Sequence, residues 1–201
     1  MKKWLGFLGA FLLLVAALSI LPIHGEAGLY DNVIRLHVLA NSDSDEDQAL
    51  KLVVRDAVLE KTEELLEGVS DRAAAQEILE RALPEIKTVA EQAIAGVGAS
   101  AAVCVTLSDE EYPTREYEQL AFPAGNYLSL RVMIGEAEGK NWWCVLFPPL
   151  CLTAATDARE QEAVCLSAGL TGEQYRLIAD TDSTKYKLRF KILEVAEELF
   201  G

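Results

Sequence analysis

The spacing of the apolar residues changes near residue 100, and this change limits the fold classes open to the chain. Between residues 43 and 95, apolar residues recur every three or four positions, which is typical of helices with one buried face. In residues 32–42 and 100–147, several runs instead have an apolar residue at every second position, as half-buried strands do. This segregation predicts an α+β domain in which helices pack on one face of a mixed or antiparallel sheet.

Two helical regions are predicted in the first half. The first follows Ser44, which forms a capping-box pattern with Asp47, and it ends at Gly68. Its apolar stripe consists of Leu50, Val54, Ala57, Val58 and Leu65. The second region runs from Ser70 to Gly96, and we expect Pro84 to kink it or divide it because proline lacks the backbone N–H.

The strands are predicted from alternation. In residues 32–42, Ile34, Leu36 and Val38 share one face, and Arg35 and His37 share the other. Residues 100–107, 127–135 and 142–147 are expected to form an antiparallel meander, with Cys104 as a small buried apolar residue. Residues 152–184 are expected to form a long loop or a partly helical segment. Residues 185–192 are expected to form a strand that is followed by a short helix.

The first 27 residues have the pattern of an export signal. Lys2 and Lys3 precede an almost unbroken apolar run, Trp4–Ile23, and small residues follow at Gly25 and Ala27. A run of this length also suits an uncleaved membrane anchor. Residues 1–27 are therefore predicted to be a signal peptide or anchor, and residues 28–201 a single exported domain.

The charge and histidine content narrow the function classes. A formal net charge of −14 repels phosphates, so we expect no nucleic-acid partner. Only His37 remains after the leader, which excludes a site with several histidine ligands. Asp43, Asp45 and Asp47 have the spacing of a calcium loop, but the loop's glycine and its final glutamate are missing. No metal, cofactor or small-molecule substrate is predicted.

One enzymatic alternative stays open from the residues alone. His37 could activate the Cys144 thiol, which would make the chain a secreted thiol- or carboxylate-dependent hydrolase. The sequence contains no GxSxG or HExxH motif and no phosphate-binding glycine loop that would strengthen this reading.

The stretch NWWCVLFPPLC, residues 141–151, is predicted to form a bent corner because Pro148 and Pro149 cannot continue a central strand. The bend allows a disulfide between Cys144 and Cys151, whereas free thiols and a Cys151–Cys165 link remain alternatives. Trp142 and Trp143 point to opposite faces of a strand, so we expect one in the core and one outside as an aromatic anchor for a partner.

Three long strings of sequence resemble one known family. Residues 33–59, VIRLHVLANSDSDEDQALKLVVRDAVL, residues 122–151 and KLRFKILE at 187–194 closely resemble the stage II sporulation protein R family of endospore-forming bacteria. Residues 60–121 and 152–184 carry little of the resemblance, and the acidic stretch 110–126 is not assigned to a family pattern.

The resemblance implies a signalling protein that is not itself a catalyst. Such a protein is secreted from the forespore into the space between forespore and mother cell, where it activates a membrane-embedded aspartic protease that processes pro-sigma-E. Within the resembling strings, the candidate partner-binding residues are Arg35, His37, Asn41, Asp43, Trp142, Trp143 and Phe147. No catalytic residue is assigned.

Overall fold

The computed structural model describes residues 27–117, 120–151 and 158–179. Its helices are α1 (Ala27–Tyr30), α2 (Asp45–Leu66), α3 (Arg72–Gly96), α4 (Ala158–Ser167) and α5 (Gly172–Ala179). Its strands are β1 (Ile34–Leu39), β2 (Val103–Tyr112), β3 (Arg115–Tyr117), β4 (Leu120–Phe122), β5 (Gly125–Ile134) and β6 (Asn141–Phe147). The leader and the terminal segment 185–201 lie outside the described residues, as do the predictions made for them.

The two long helices begin at side-chain caps. The Ser44 hydroxyl accepts a hydrogen bond from the Asp47 N–H at 3.2 Å, and the Asp71 carboxylate accepts one from the Ala74 N–H at 2.9 Å. Each cap satisfies a backbone donor that has no partner within its helix. The predicted start of the first helix at Ser44 is confirmed.

Helix α3 runs through Pro84 without a break, so of the two expected outcomes, a kink or a division, the division is wrong. Pro84 is exposed, and water can therefore reach the carbonyl group that loses its hydrogen-bond donor. The opposite side of the helix is held by a row of buried side chains, namely Ala75, Leu79, Ala82, Ile86, Ala90 and Ile94.

The main sheet has the strand order β2-β5-β1-β6. Strand β1 is parallel to β5 and antiparallel to β6, and β2 is antiparallel to β5. The sheet is thus mixed. The antiparallel pair β2–β5 of the predicted meander is confirmed, but the predicted pairing of β5 with β6 is wrong because β1 lies between them. All six residues of β1 are buried, which suits a central strand covered on both faces.

Strands β3 and β4 pair with each other in a separate two-stranded sheet. Each has only three residues, which is too short for alternation to reveal it in the sequence. Both strands lie within the acidic stretch 110–126, to which no family pattern was assigned.

Each face of the main sheet contributes to its own apolar cluster. The first cluster joins the even-numbered residues of β1 to α2 and α3, so the two long helices cover one face as predicted. The second cluster contains the aromatic residues Tyr112, Phe122 and Tyr127 together with residues of the short helices α1, α4 and α5. The segment 152–184 is therefore partly helical in its described part, residues 158–179.

Among residues 27–117, 120–151 and 158–179, no helix is both long and apolar enough to cross a membrane.

Candidate functional site

The sheet brings together the two stretches that the sequence singled out. Strands β1 and β6 are neighbours, and their register places His37 opposite Trp143, Val38 opposite Trp142, and Leu36 opposite Cys144. Because side chains alternate between faces, this register decides which candidate residues can meet. The face that α2 and α3 cover is called the helix-covered face below. The opposite face, which presents Arg35, His37, Glu110, Ser129, Arg131 and Trp143, is called the arginine face.

Trp142 and Trp143 do lie on opposite faces, but neither is fully inside or fully outside. Both are half-buried, and each indole ring is covered by an arginine. The guanidinium of Arg55 lies 5.1 Å from the Trp142 ring centre on the helix-covered face, and that of Arg115 lies 3.5 Å from the Trp143 ring on the arginine face. The expected division into one core ring and one exposed anchor is therefore wrong.

Arg35 is completely buried, although it was predicted as a partner contact. Its guanidinium lies 4.5 Å from the ring centre of Tyr112, 5.1 Å from Tyr127, 5.2 Å from Phe122 and 5.7 Å from Tyr117. Electron-rich ring faces stabilise the cation where water is excluded. Arg35 cannot touch a partner in this arrangement, because the aromatic residues enclose it.

The hydrogen bonding of Arg35 is incomplete. Its Nη2 donates to the Tyr117 hydroxyl at 2.8 Å, but its Nε and Nη1 have no hydrogen-bond partner within the described part of the chain. Burial raises the pKa of Tyr117, although the nearby charge of Arg35 opposes that effect. The neutral phenol is thus the form that accepts from the guanidinium.

His37 is also buried and takes part in a charged cluster on the arginine face. Its Nδ1 lies 2.8 Å from a carboxylate oxygen of Glu110, and Arg131 lies 3.2 Å from the same oxygen. Burial alone would raise the pKa of Glu110, but hydrogen bonds from His37 and Ser129 and the charges of His37 and Arg131 hold it below its usual value. His37 is therefore an internal partner of Glu110, not a surface contact.

The hydroxyl groups of Tyr112 and Ser129 extend this cluster, since they lie 2.7 Å apart next to Arg35 and Glu110. Burial raises the pKa of Tyr112 well above that of a free tyrosine. None of the polar residues on this face other than Arg35 and His37 was predicted from the sequence. The sequence offered one signal for Arg131: in the alternating run 127–135 it lies on the face opposite to the apolar residues.

The proposed pairing of Cys144 with His37 is contradicted by the register. Cys144 is opposite Leu36, whose side chain faces the helices, whereas His37 faces the other way. The structure joins Cys144 to Cys151 by a disulfide with 5.6 Å between the two Cα atoms. A thiol–imidazole dyad cannot form across the sheet, so the thiol-dependent form of the hydrolase alternative loses its geometric basis.

The other two cysteines stay free. Cys165 is buried, and burial raises the pKa of its thiol to about 12. Cys104 is exposed, which corrects the expectation that it is a small core residue. Cys104 lies opposite Met133 in the register of β2 and β5.

Asn41 and Asp43 connect the end of β1 to the turn between β5 and β6. The Asn41 side-chain oxygen accepts from the Glu136 N–H at 3.0 Å, and Asp43 accepts from the Lys140 N–H at 2.7 Å. The Asn41 amide group also donates to Asp47 at 2.9 Å. These residues hold a junction together, and Asp43 remains exposed beside it.

At this junction the backbone of Gly135 packs closely against the side chain of Asn41. A Cβ atom placed there would overlap the Asn41 side chain, and the backbone has a φ of 58°. Only glycine combines that conformation with so little space. Asp47, which was considered as a calcium ligand, has a lowered pKa because Ser42 and Asn41 donate hydrogen bonds to it.

Phe147 was predicted as a partner contact, but it is 1% exposed and belongs to the core on the helix-covered face. The exposed large apolar side chains of the described residues are Leu52 (41%), Val97 (56%) and Leu166 (43%). Leu52 lies on α2 one turn before Arg55, whose guanidinium stacks on half-buried Trp142. Leu52, Arg55 and Trp142 are called the tryptophan patch below.

The described ranges contain no group of three or more histidine, cysteine or acidic residues that could hold a metal ion.

Comparison with known proteins gives one consistent match. A family model described as stage II sporulation protein R matches residues 30–157. The stage II sporulation protein R of Bacillus subtilis is 40% identical over 121 residues, which is 60% of this chain and 54% of that protein. The chain thus spans about half the length of this curated relative. No solved structure matches the chain significantly.

Proposed function

The chain belongs to the stage II sporulation protein R family, and on that premise we propose that it is a secreted signalling protein between forespore and mother cell. It acts in the space between the two cells, where it activates the membrane-embedded aspartic protease that processes pro-sigma-E. The observation that carries this proposal is the family match over residues 30–157, which includes every strand described above.

Two features of the chain support an exported, non-catalytic role. The leader at residues 1–27 has the charge and apolar pattern of an export signal, either cleaved or retained as an anchor through residues 4–23. The one histidine of the described residues is held by Glu110 and faces away from the half-cystine Cys144. A binding activator requires neither group to react.

The tryptophan patch is the surface that suits the protease contact best. Tryptophan and arginine are among the residues that most often dominate protein interfaces, and here the Arg55 guanidinium stacks on half-buried Trp142, one helical turn after exposed Leu52. Trp142 also lies on β6, which is an edge strand of the main sheet. The arginine face is less suitable, because Arg35 and His37 are enclosed.

A reconstituted assay tests the function and the contact surface together. The full-length chain, the protease and pro-sigma-E are produced in a bacterium that does not sporulate, and the processed fraction of pro-sigma-E is measured. Trp142→Ala should weaken activation roughly 30-fold, the affinity loss expected for one interface hot spot. If Trp142→Ala activates like the wild type, the tryptophan patch is not the contact.

Trp143→Ala is the matched control, since it removes the same side chain from the opposite face. Its thermal stability is measured first, and both variants are compared at a temperature where both are folded. Processing should then remain near the wild-type level. If the wild-type chain is exported and still produces no processed sigma factor, the proposed function itself is wrong.

A further inference from the structure

A groove of about 720 Å³ lies between the end of α2, the Cys144–Cys151 corner and α4. It is independent of the tryptophan patch and the arginine face, with which it shares no residue. Its walls are mostly apolar, with Leu66 and Val69 on one side, Pro149 at the corner and Val164 on the other side. Apolar walls of this kind are normally covered by another segment or partner.

The rim of the groove on α2 is acidic. Glu60 and Glu63 line it from one side of the helix, since they are three residues apart, and Glu67, the residue after the last residue of α2, also lines it. All three are exposed, and none forms an ion pair within the described residues, whereas neighbouring Glu64 pairs with Lys61 at 3.0 Å. The rim therefore favours an occupant that carries positive charge.

The chain contains one segment with the matching chemistry. Residues 185–192 read KYKLRFKI, so four basic residues alternate with four apolar ones in a chain whose net charge is −14. In an extended conformation, Tyr186, Leu188 and Phe190 share one side, and the basic residues share the other. The apolar floor of the groove is complementary to the apolar side of this segment, and the acidic rim is complementary to its basic side.

The segment is also within reach. Ala168 lines the groove, and α5 begins four residues later and ends at Ala179. An eight-residue helix is about 12 Å long, so Ala179 lies at most about 26 Å from Ala168. The residues from 180 to 188 can extend over about 30 Å, which is enough to return to the groove.

We propose that residues 185–192 of the same chain bind in this groove, with their apolar side chains on its floor and their basic side chains against Glu60, Glu63 and Glu67. Binding covers the apolar walls beside the disulfide corner and neutralises the acidic rim. The segment thereby ties the end of the chain to α2 and α4.

Photo-crosslinking of the full-length chain tests the proposal. Leu66 is replaced by benzoylphenylalanine, the protein is irradiated at low concentration, and the crosslinked peptides are identified by mass spectrometry. A crosslink to residues 185–192 within one chain supports the proposal. A crosslink to those residues only in a dimer band that grows with protein concentration overturns it in favour of a second copy. A crosslinker at exposed Val97, which does not line the groove, is the control.

Charge reversal provides a second, independent readout. Glu63→Lys with Glu67→Lys should lower the crosslink yield about fivefold, as expected when two exposed ion pairs become repulsive. Adding Lys187→Glu and Arg189→Glu should restore it. Glu136→Lys with Glu138→Lys makes the same change in net charge at exposed sites outside the groove and should have no effect. If the groove and control reversals act alike, or if no crosslink reaches residues 185–192, the proposal is wrong.

Discussion

The two faces of the main sheet bury different kinds of side chain. On the helix-covered face, strand β1 contributes Ile34, Leu36 and Val38 to an apolar core with α2 and α3. On the arginine face, the same strand contributes Arg35 and His37, which are also buried. Alternation thus decides which face a side chain joins, but the elements that cover each face decide whether it meets water.

The side chains buried on the two faces should also contribute differently to the free energy of unfolding. Apolar side chains gain from leaving water, in proportion to the area that they bury. A buried charge loses its hydration, and it contributes to stability only through close partners. Within the described part of the chain, Arg35 has one hydrogen bond and four aromatic rings as partners, so its contribution depends on how well the rings replace water.

The largest expected effect is on the helix-covered face. Leu36→Ala removes a fully buried side chain and leaves a cavity, so it should lower the free energy of unfolding by about 2–5 kcal/mol in a urea titration. Leu52→Ala, at an exposed position, is the control and should change it by less than about 0.5 kcal/mol. Equal losses would contradict the assigned core.

A smaller effect is expected when the charge on the arginine face is replaced by an apolar side chain. Arg35→Met keeps much of the volume and removes the hydration penalty, so the free energy of unfolding should stay within about 1 kcal/mol of the wild-type value. Arg35→Ala adds a cavity and should cost about 2–5 kcal/mol in the same titration. If the methionine variant is as unstable as the alanine variant, the charge itself stabilises this face.

The smallest effect concerns Glu110 and appears only in acid. Its pKa in the folded chain lies below the ordinary value of 4.5, so the ionised carboxylate stabilises the fold above that pH and the contribution disappears as the pH falls through the folded pKa. Thermal unfolding of the wild type should therefore lose stability between about pH 5 and pH 3 more steeply than that of Glu110→Gln. The exposed Glu116→Gln variant should follow the wild type; parallel curves for all three would refute a role for Glu110 in acid unfolding.

Local patterns in the sequence predicted several elements well. The cap at Ser44 is found where the sequence placed it, and in β1 Ile34, Leu36 and Val38 share one face while Arg35 and His37 share the other, as the alternation predicted. The opposite orientation of Trp142 and Trp143 was predicted in the same way, from the two-residue repeat of a strand. These features depend on neighbours a few residues apart.

The chain's own sequence determined that α2 and α3 are helices and that β1, β2, β5 and β6 are strands, the side of the sheet on which each residue of β1 lies, and the family to which the chain belongs. Only the tertiary structure decided that β1 lies between β5 and β6, that Arg35 and His37 are enclosed, and that Cys144 faces away from His37. The reason is the range of the interactions. Alternation and capping act between residues that are close in the chain, whereas strand order and burial depend on contacts such as that of His37 with Glu110, which are 73 residues apart.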